Sequence, residues 1–100
     1  LCFTGDILTA EQAQKIGLVN AVYPADELLK EARAIADRIA AQGPLAVAAA
    51  KRVMLRGADV PLPVANELEA QAFAQLFGSE DQRDGMRAFI DKRQPEFKGT

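Results

Sequence analysis

The sequence predicts a mainly α-helical fold of about five short helices with at most one short strand. Three observations carry that prediction. Gly17, Gly43, Gly57 and Gly78 each close a run of helix formers, the place where C-terminal caps put glycine. Between them, apolar residues recur at the i, i+3, i+4 spacing of a helix face. Alanine, the best helix former, supplies 19 of the 49 apolar residues in a chain of 100. The length allows one domain at most, and 49% hydrophobic with 26% charged residues is ordinary globular composition.

Thr9 opens the first helix with a Thr-Ala-Glu-Gln capping box, pairing Thr9 with Gln12, and the helix runs from Ala10 to Ile16. Leu18 to Val22 is a short β-branched burst before Tyr23-Pro24, to be read either as one strand or as an extended link. From about Asp26 to Gln42, Leu28, Ala32, Ile35 and Ile39, joined by Leu29, Ala36 and Ala40, mark one buried helical stripe. Gly43-Pro44 stops that helix and places proline at the first position of the next. This third helix reaches about Arg56, with Val47, Ala50, Val53 and Met54 inward. A breaker segment, Gly57 to Pro63, precedes a fourth helix with Ala65, Leu68, Ala72 and Leu76 on one line and Glu69, Phe73 and Phe77 on the next. Ser79 with Gln82 makes a second capping box, and the last helix presents Met86, Phe89 and Ile90 on one side until Pro95.

The residue types that are missing exclude several chemistries. With no histidine, neither a Ser-His-Asp nor a Cys-His nucleophilic arrangement can be assembled from this chain. One cysteine, Cys2, builds no disulfide framework, and the usual structural zinc ligand sets are absent, which points to a cytosolic, metal-free chain. No GxGxxG or GxxxxGK[ST] stretch cradles a phosphate. A net charge of −2 gives no field for nucleic acid or an anionic membrane, and no apolar run approaches the length of a membrane span. The first residue is Leu rather than Met, as in a fragment or a processed product.

Only 28 large apolar residues remain once alanine, cysteine and tyrosine are set aside, which is thin for a core. Five amphipathic helices of this kind leave one face uncovered in a monomer, so the chain reads as a docking or oligomerisation unit. Individual candidates have plain alternatives beside functional ones. Lys51, Arg52 and Arg56 form either a small anion site or, more simply, a solvated cationic face. Glu69 on an apolar helix face suits a salt bridge across helices, or a part-buried carboxyl with a raised pKa. Gly85 inside a helix suggests close backbone packing, and Cys2 a small buried hydrophobe.

Leu-Cys-Phe-Thr-Gly-Asp (1–6), Ala-Glu-Gln-Ala (10–13) and Gly-Leu-Val-Asn (17–20) together resemble the crotonase superfamily, the enoyl-CoA hydratases and isomerases. The resemblance continues through Glu27-Leu28-Leu29, the Gly-Pro corner with Lys51, Glu69 with Phe73, and Ser79-Glu80-Asp81 to Gly85-Met86-Arg87-Ala88-Phe89. It closes on Asp91-Lys92-Arg93-Gln94-Pro95-Glu96-Phe97-Lys98-Gly99. It implies the C-terminal part of a crotonase, with residues 1–24 the end of the core and a connector, and 25–100 a helical domain that assembles subunits and covers coenzyme A. The family's N-terminal ββα spiral, its oxyanion hole and its catalytic carboxylates lie upstream of the matching stretch, so no catalytic residue is carried over. The resemblance further implies a homotrimer or hexamer, an acyl-CoA thioester as substrate rather than a resident cofactor, and two ligand contacts. Phe73 matches an aromatic position near the adenine end of coenzyme A, and Lys92 a basic position near its phosphates. From spacing alone Phe73 is equally a core aromatic in the Leu68, Ala72, Leu76 stripe, and Lys92 a last-turn cation facing the helix C-terminus. A rival of another class is a free-standing, non-catalytic helical module that associates with itself or with a full-length crotonase.

Overall fold

Residues 1–100 form five α-helices and no strand in the computed structural model: α1 (Ala10–Lys15), α2 (Leu28–Ala40), α3 (Pro44–Gly57), α4 (Leu62–Leu76) and α5 (Glu80–Asp91). The expected helices are all present. Leu18 to Val22 is a bend followed by extended backbone, because no second strand exists to accept its hydrogen bonds. Contacts group the chain into two units, Leu1–Ala36 and Asp37–Thr100.

In the first unit the Thr9 box forms in full. Thr9 Oγ1 accepts from the Gln12 N–H at 3.2 Å, and the Gln12 side chain accepts from the Thr9 N–H at 2.9 Å. The same helix ends in a Schellman turn. Gly17, at φ 75°, donates to Gln14, and Leu18 donates to the Ala13 carbonyl at 2.9 Å. Cys2 is exposed here, not buried, since no element packs over the first turn of the chain. The α2 stripe has helical spacing as expected, yet α2 buries none of its residues, and Leu28, Leu29, Ile35 and Ile39 all stay exposed.

In the second unit, α3 packs along α4, the one extensive contact between helices. Ala65, Leu68, Ala72 and Leu76 face this contact half-buried, as their common line predicts. Across from them α3 turns Val47 and Val53 inward as expected, together with Ala49, whereas Ala50 and Met54, expected inside, are exposed. Ala49, Val53 and Gly57, four residues apart, form the line that meets α4, and Ala50 and Met54 stand one residue off it. At the end of that line Gly57 approaches α4 closely: an added Cβ would meet Ala65 Cβ at 3.4 Å. Helix α4 begins inside the expected breaker. Pro63 stands in its first turn, where the missing N–H leaves no bond unmade.

The glycine punctuation is only partly what capping logic suggests. Gly17 adopts the left-handed conformation, but Gly43 is the N-cap of α3 at φ −58°, Gly57 is its last helical residue, and Gly78 keeps negative φ. The left-handed end of α5 belongs instead to Lys92, at φ 53°. A lysine there carries the Cβ clash that costs an L-residue about 1–2 kcal/mol. Three alanines, Ala13, Ala49 and Ala88, are the only buried apolar residues, so the thin core expected from composition is thinner still.

Two substitutions should shift stability in opposite directions in denaturant unfolding of the native protein. Gly17→Ala is expected to lose about 1 kcal/mol, because its φ of 75° penalises a Cβ. Lys92→Gly should gain a few tenths to about 1 kcal/mol by relieving the same penalty.

Candidate functional site

The site is built on how α5 is closed at both ends. Ser79 is its N-cap, and its hydroxyl accepts from the Gln82 N–H at 3.1 Å while donating to the Leu76 carbonyl at 2.8 Å. The expected second capping box is therefore half formed, because the Ser79 N–H is taken by Leu76 and the Gln82 side chain does not reach back. The remaining first-turn donors are met from far along the chain. Glu80 and Asp81 both donate to the Thr100 carbonyl oxygen, at 2.8 and 3.2 Å.

Those bonds require the chain after α5 to run back along the helix. Residues 94–99, extended, span about 20 Å, which matches the roughly 18 Å of a 12-residue helix. The strap is fixed at two carboxylates. Asp84 holds the Arg93 guanidinium and accepts from the Glu96 N–H at 2.7 Å. Asp81, only 5% exposed, accepts from the N–H groups of Lys98 at 2.6 Å and Gly99 at 2.9 Å. No cation pairs with Asp81, so oriented backbone dipoles alone balance its buried charge. The Arg93 guanidinium, then the Glu96 N–H, hold the Asp84 carboxyl at a pKa of about 2, well below the usual carboxylate range.

The strap places Phe97 where no helix periodicity would put it. Its ring lies against two glycines: a Cβ on Gly43 would meet it at 3.5 Å and one on Gly85 at 3.4 Å. Gly85 is thus a close-packing position, as expected, but its neighbour is a side chain rather than backbone. Phe97 forms one wall of an apolar groove of about 360 Å³, with Leu45, Phe73, Phe77 and Met86 among the other walls. Phe73 and Phe77 meet edge to face, with ring centroids 5.1 Å apart.

Phe73 is 63% exposed, so its ring is a groove wall and not the core aromatic that its stripe allows. Lys92 is exposed, makes no ion pair and lies outside the groove lining. One chain therefore does not bring the two candidate contacts together. Arg52 and Arg56 border a shallow cleft on α3 and α4 with Gln71 and Gln75, and Lys51 stands apart from it. Both arginines are exposed and unpaired, as in a solvated face. Glu69 is exposed and forms no salt bridge, because no lysine or arginine reaches it and water solvates its carboxylate. Sequence reading missed Asp81, Asp84 and Phe97. Neither carboxylate stands in a periodic pattern with its partner, and Phe97 follows a proline that only signals a stop.

The sequence profile of the enoyl-CoA hydratase/isomerase family matches residues 1–100. The chain belongs to the enoyl-CoA hydratase/isomerase family. It is 41% identical over 97 residues to a crotonyl-CoA hydratase of Syntrophomonas wolfei, a stretch covering 97% of this chain and 37% of that protein. To the 2,3-dehydroadipyl-CoA hydratase of Escherichia coli it is 39% identical, covering 99% of this chain and 39% of the relative. The crystal structure of an enoyl-CoA hydratase from Mycobacterium tuberculosis superimposes on all of this chain and 40% of its own, with a TM-score of 0.92 and 36% identity. This hydratase/isomerase chain thus spans under two fifths of the curated relatives it matches.

The depressed pKa of Asp84 sets an acid response. The unfolded carboxyl takes up its proton near pH 4 and the folded one only near pH 2, so the contribution of Asp84 is complete above about pH 5 and lost as pH falls from 4 to 2. Asp84→Asn should lower the denaturant midpoint at pH 7 and flatten its fall between pH 4 and 2.

Proposed function

We propose that the chain is the C-terminal helical region of an enoyl-CoA hydratase-like protein, where it assembles subunits into a trimer or hexamer and contributes to coenzyme A binding. The observation that carries this reading is the uncovered apolar surface. Helix α2 buries nothing, and on α5 Phe89 is 83% and Ile90 74% exposed beside an exposed Met86. Burying such side chains is worth about 1.5–3 kcal/mol each, so a partner surface, either the rest of the subunit or a neighbouring one, is strongly favoured.

The parent reaction is hydration of a 2-enoyl-CoA: water adds across the 2,3 double bond while backbone donors hold the thioester oxygen as it gains enolate character. In this reading those donors and the acid and base carboxylates belong to the N-terminal core, and this chain supplies binding. Phe73 offers an exposed ring face to the adenine, and Lys92 an unpaired ammonium to the phosphates. Their separation in one chain agrees with contacts made from two subunits. No resident cofactor is called for, since coenzyme A arrives as part of the substrate.

Titration calorimetry with coenzyme A on the native protein tests the contacts. Phe73→Ala and Lys92→Ala should each weaken binding by about five- to tenfold, as expected for one stacked ring or one phosphate partner of roughly 1–1.4 kcal/mol. An unchanged dissociation constant in both variants overturns this assignment. The intact mass of the native gene product tests the larger claim: more than twice 10.8 kDa fits a hydratase, whereas a product near 10.8 kDa fits the self-standing helical module.

A further inference from the structure

Lys92 occupies a position that ordinarily belongs to glycine, and what holds it there lies on other residues. Its N–H donates to Phe89 at 3.4 Å and the next N–H, of Arg93, reaches back to the Ala88 carbonyl at 3.0 Å, the paired bonds of a Schellman turn. The left-handed φ of 53° is what turns the chain from the helix into the strap. Free of the strap, a lysine at a helix end keeps only these two turn bonds against its Cβ clash, and the balance shifts toward negative φ. Relaxation would redirect the Cα–Cβ bond and the ammonium it carries. The first anchor beyond the turn is Asp84, which binds the Arg93 guanidinium and the Glu96 N–H from two turns back on α5. Two positions just beyond the turn, Arg93 and Glu96, are therefore tied to one carboxylate on the helix before it.

We propose that Asp84, through Arg93 and the Glu96 N–H, is a positioning residue that fixes the left-handed turn at Lys92 and so aims the Lys92 ammonium at an anionic ligand. This rests on the reading of Lys92 as a contact to the phosphates of coenzyme A. Asp84 touches no ligand in this arrangement. The sign of its effect separates positioning from plain electrostatics. Removing a carboxylate near a phosphate site should by Coulomb's law tighten anion binding, whereas loss of positioning weakens it.

The test is a double-mutant cycle on the native protein, reading the dissociation constant of coenzyme A with Asp84→Asn, Lys92→Gln and the pair. Glutamine keeps the left-handed penalty and removes only the charge. Asp84→Asn should weaken binding by about threefold to tenfold beside Lys92 and by less than about twofold beside Gln at that position, the coupling expected of residues acting as a unit. Hydrogen exchange at the Glu96 amide should accelerate in both Asp84 variants, reporting release of the strap independently of ligand. Arg93→Lys, which keeps the positive charge but loses the two-pronged hold on Asp84, should weaken coenzyme A binding in the same direction and carries the test if Asp84→Asn does not fold. Equal losses in both backgrounds, unchanged binding, or tighter binding overturn the positioning role while leaving the Lys92 contact standing. Unchanged binding in Lys92→Gln alone overturns the contact and the positioning role together.

Discussion

Asp81 accepts the N–H groups of Lys98 and Gly99, while its own N–H and that of Glu80 donate to the Thr100 carbonyl. This reciprocal closure satisfies the start of α5 and the end of the strap at once, and the rest of the Asp37–Thr100 unit is arranged around it. A carboxylate 5% exposed with no cationic partner is tolerated because it sits at the positive end of a helix dipole and receives two charge-assisted hydrogen bonds. An isostere such as asparagine keeps one acceptor oxygen and brings an amide that cannot accept, leaving one strap N–H unmet. The strap then holds Phe97 over Gly43 and Gly85, which links the N-terminus of α3 to the middle of α5 where those helices have little direct contact.

This economy follows from composition. Alanine-rich helices approach closely but remove little area from water, and here the buried apolar set is three alanines. Polar closure at helix ends therefore carries an unusual share of the organisation: the Thr9 box, the two Schellman turns, the Ser79 cap and the two aspartates. The large apolar side chains are left on the outside, where the helices that carry them can serve surfaces beyond the chain.

The sequence made the helices legible because 3.6-residue periodicity, capping residues and proline are local signals, and each acts within a few residues of itself. The capping box at Thr9 and the proline start of α3 appear where those signals place them. Burial was legible only where two helices of this chain meet, as with Leu68, Ala72 and Leu76 on α4. Periodicity shows that Leu28, Ile35 and Ile39 share a face but not that this chain covers it, so the expected burial of α2 was not met. The strap was illegible for a different reason. Asp81 and Lys98 are 17 residues apart and Asp84 and Glu96 are 12 apart, and neither pair belongs to a repeating pattern. Phe73 and Lys92 came from family resemblance, and the structure adds that one is a groove wall and the other a left-handed turn.

The Thr100 carbonyl that meets the first N–H groups of α5 lies 20 residues downstream of Glu80. During synthesis, which proceeds at about 5–20 residues per second, α5 is complete in the chain for a second or so before its closing partner exists. Through that interval its leading amides are met by water and by Ser79, and its apolar side chains have no neighbour. The nascent helix is therefore a late-locking element whose native state is reached from both ends together. A chain cut anywhere within the strap would leave α5 in that same open state.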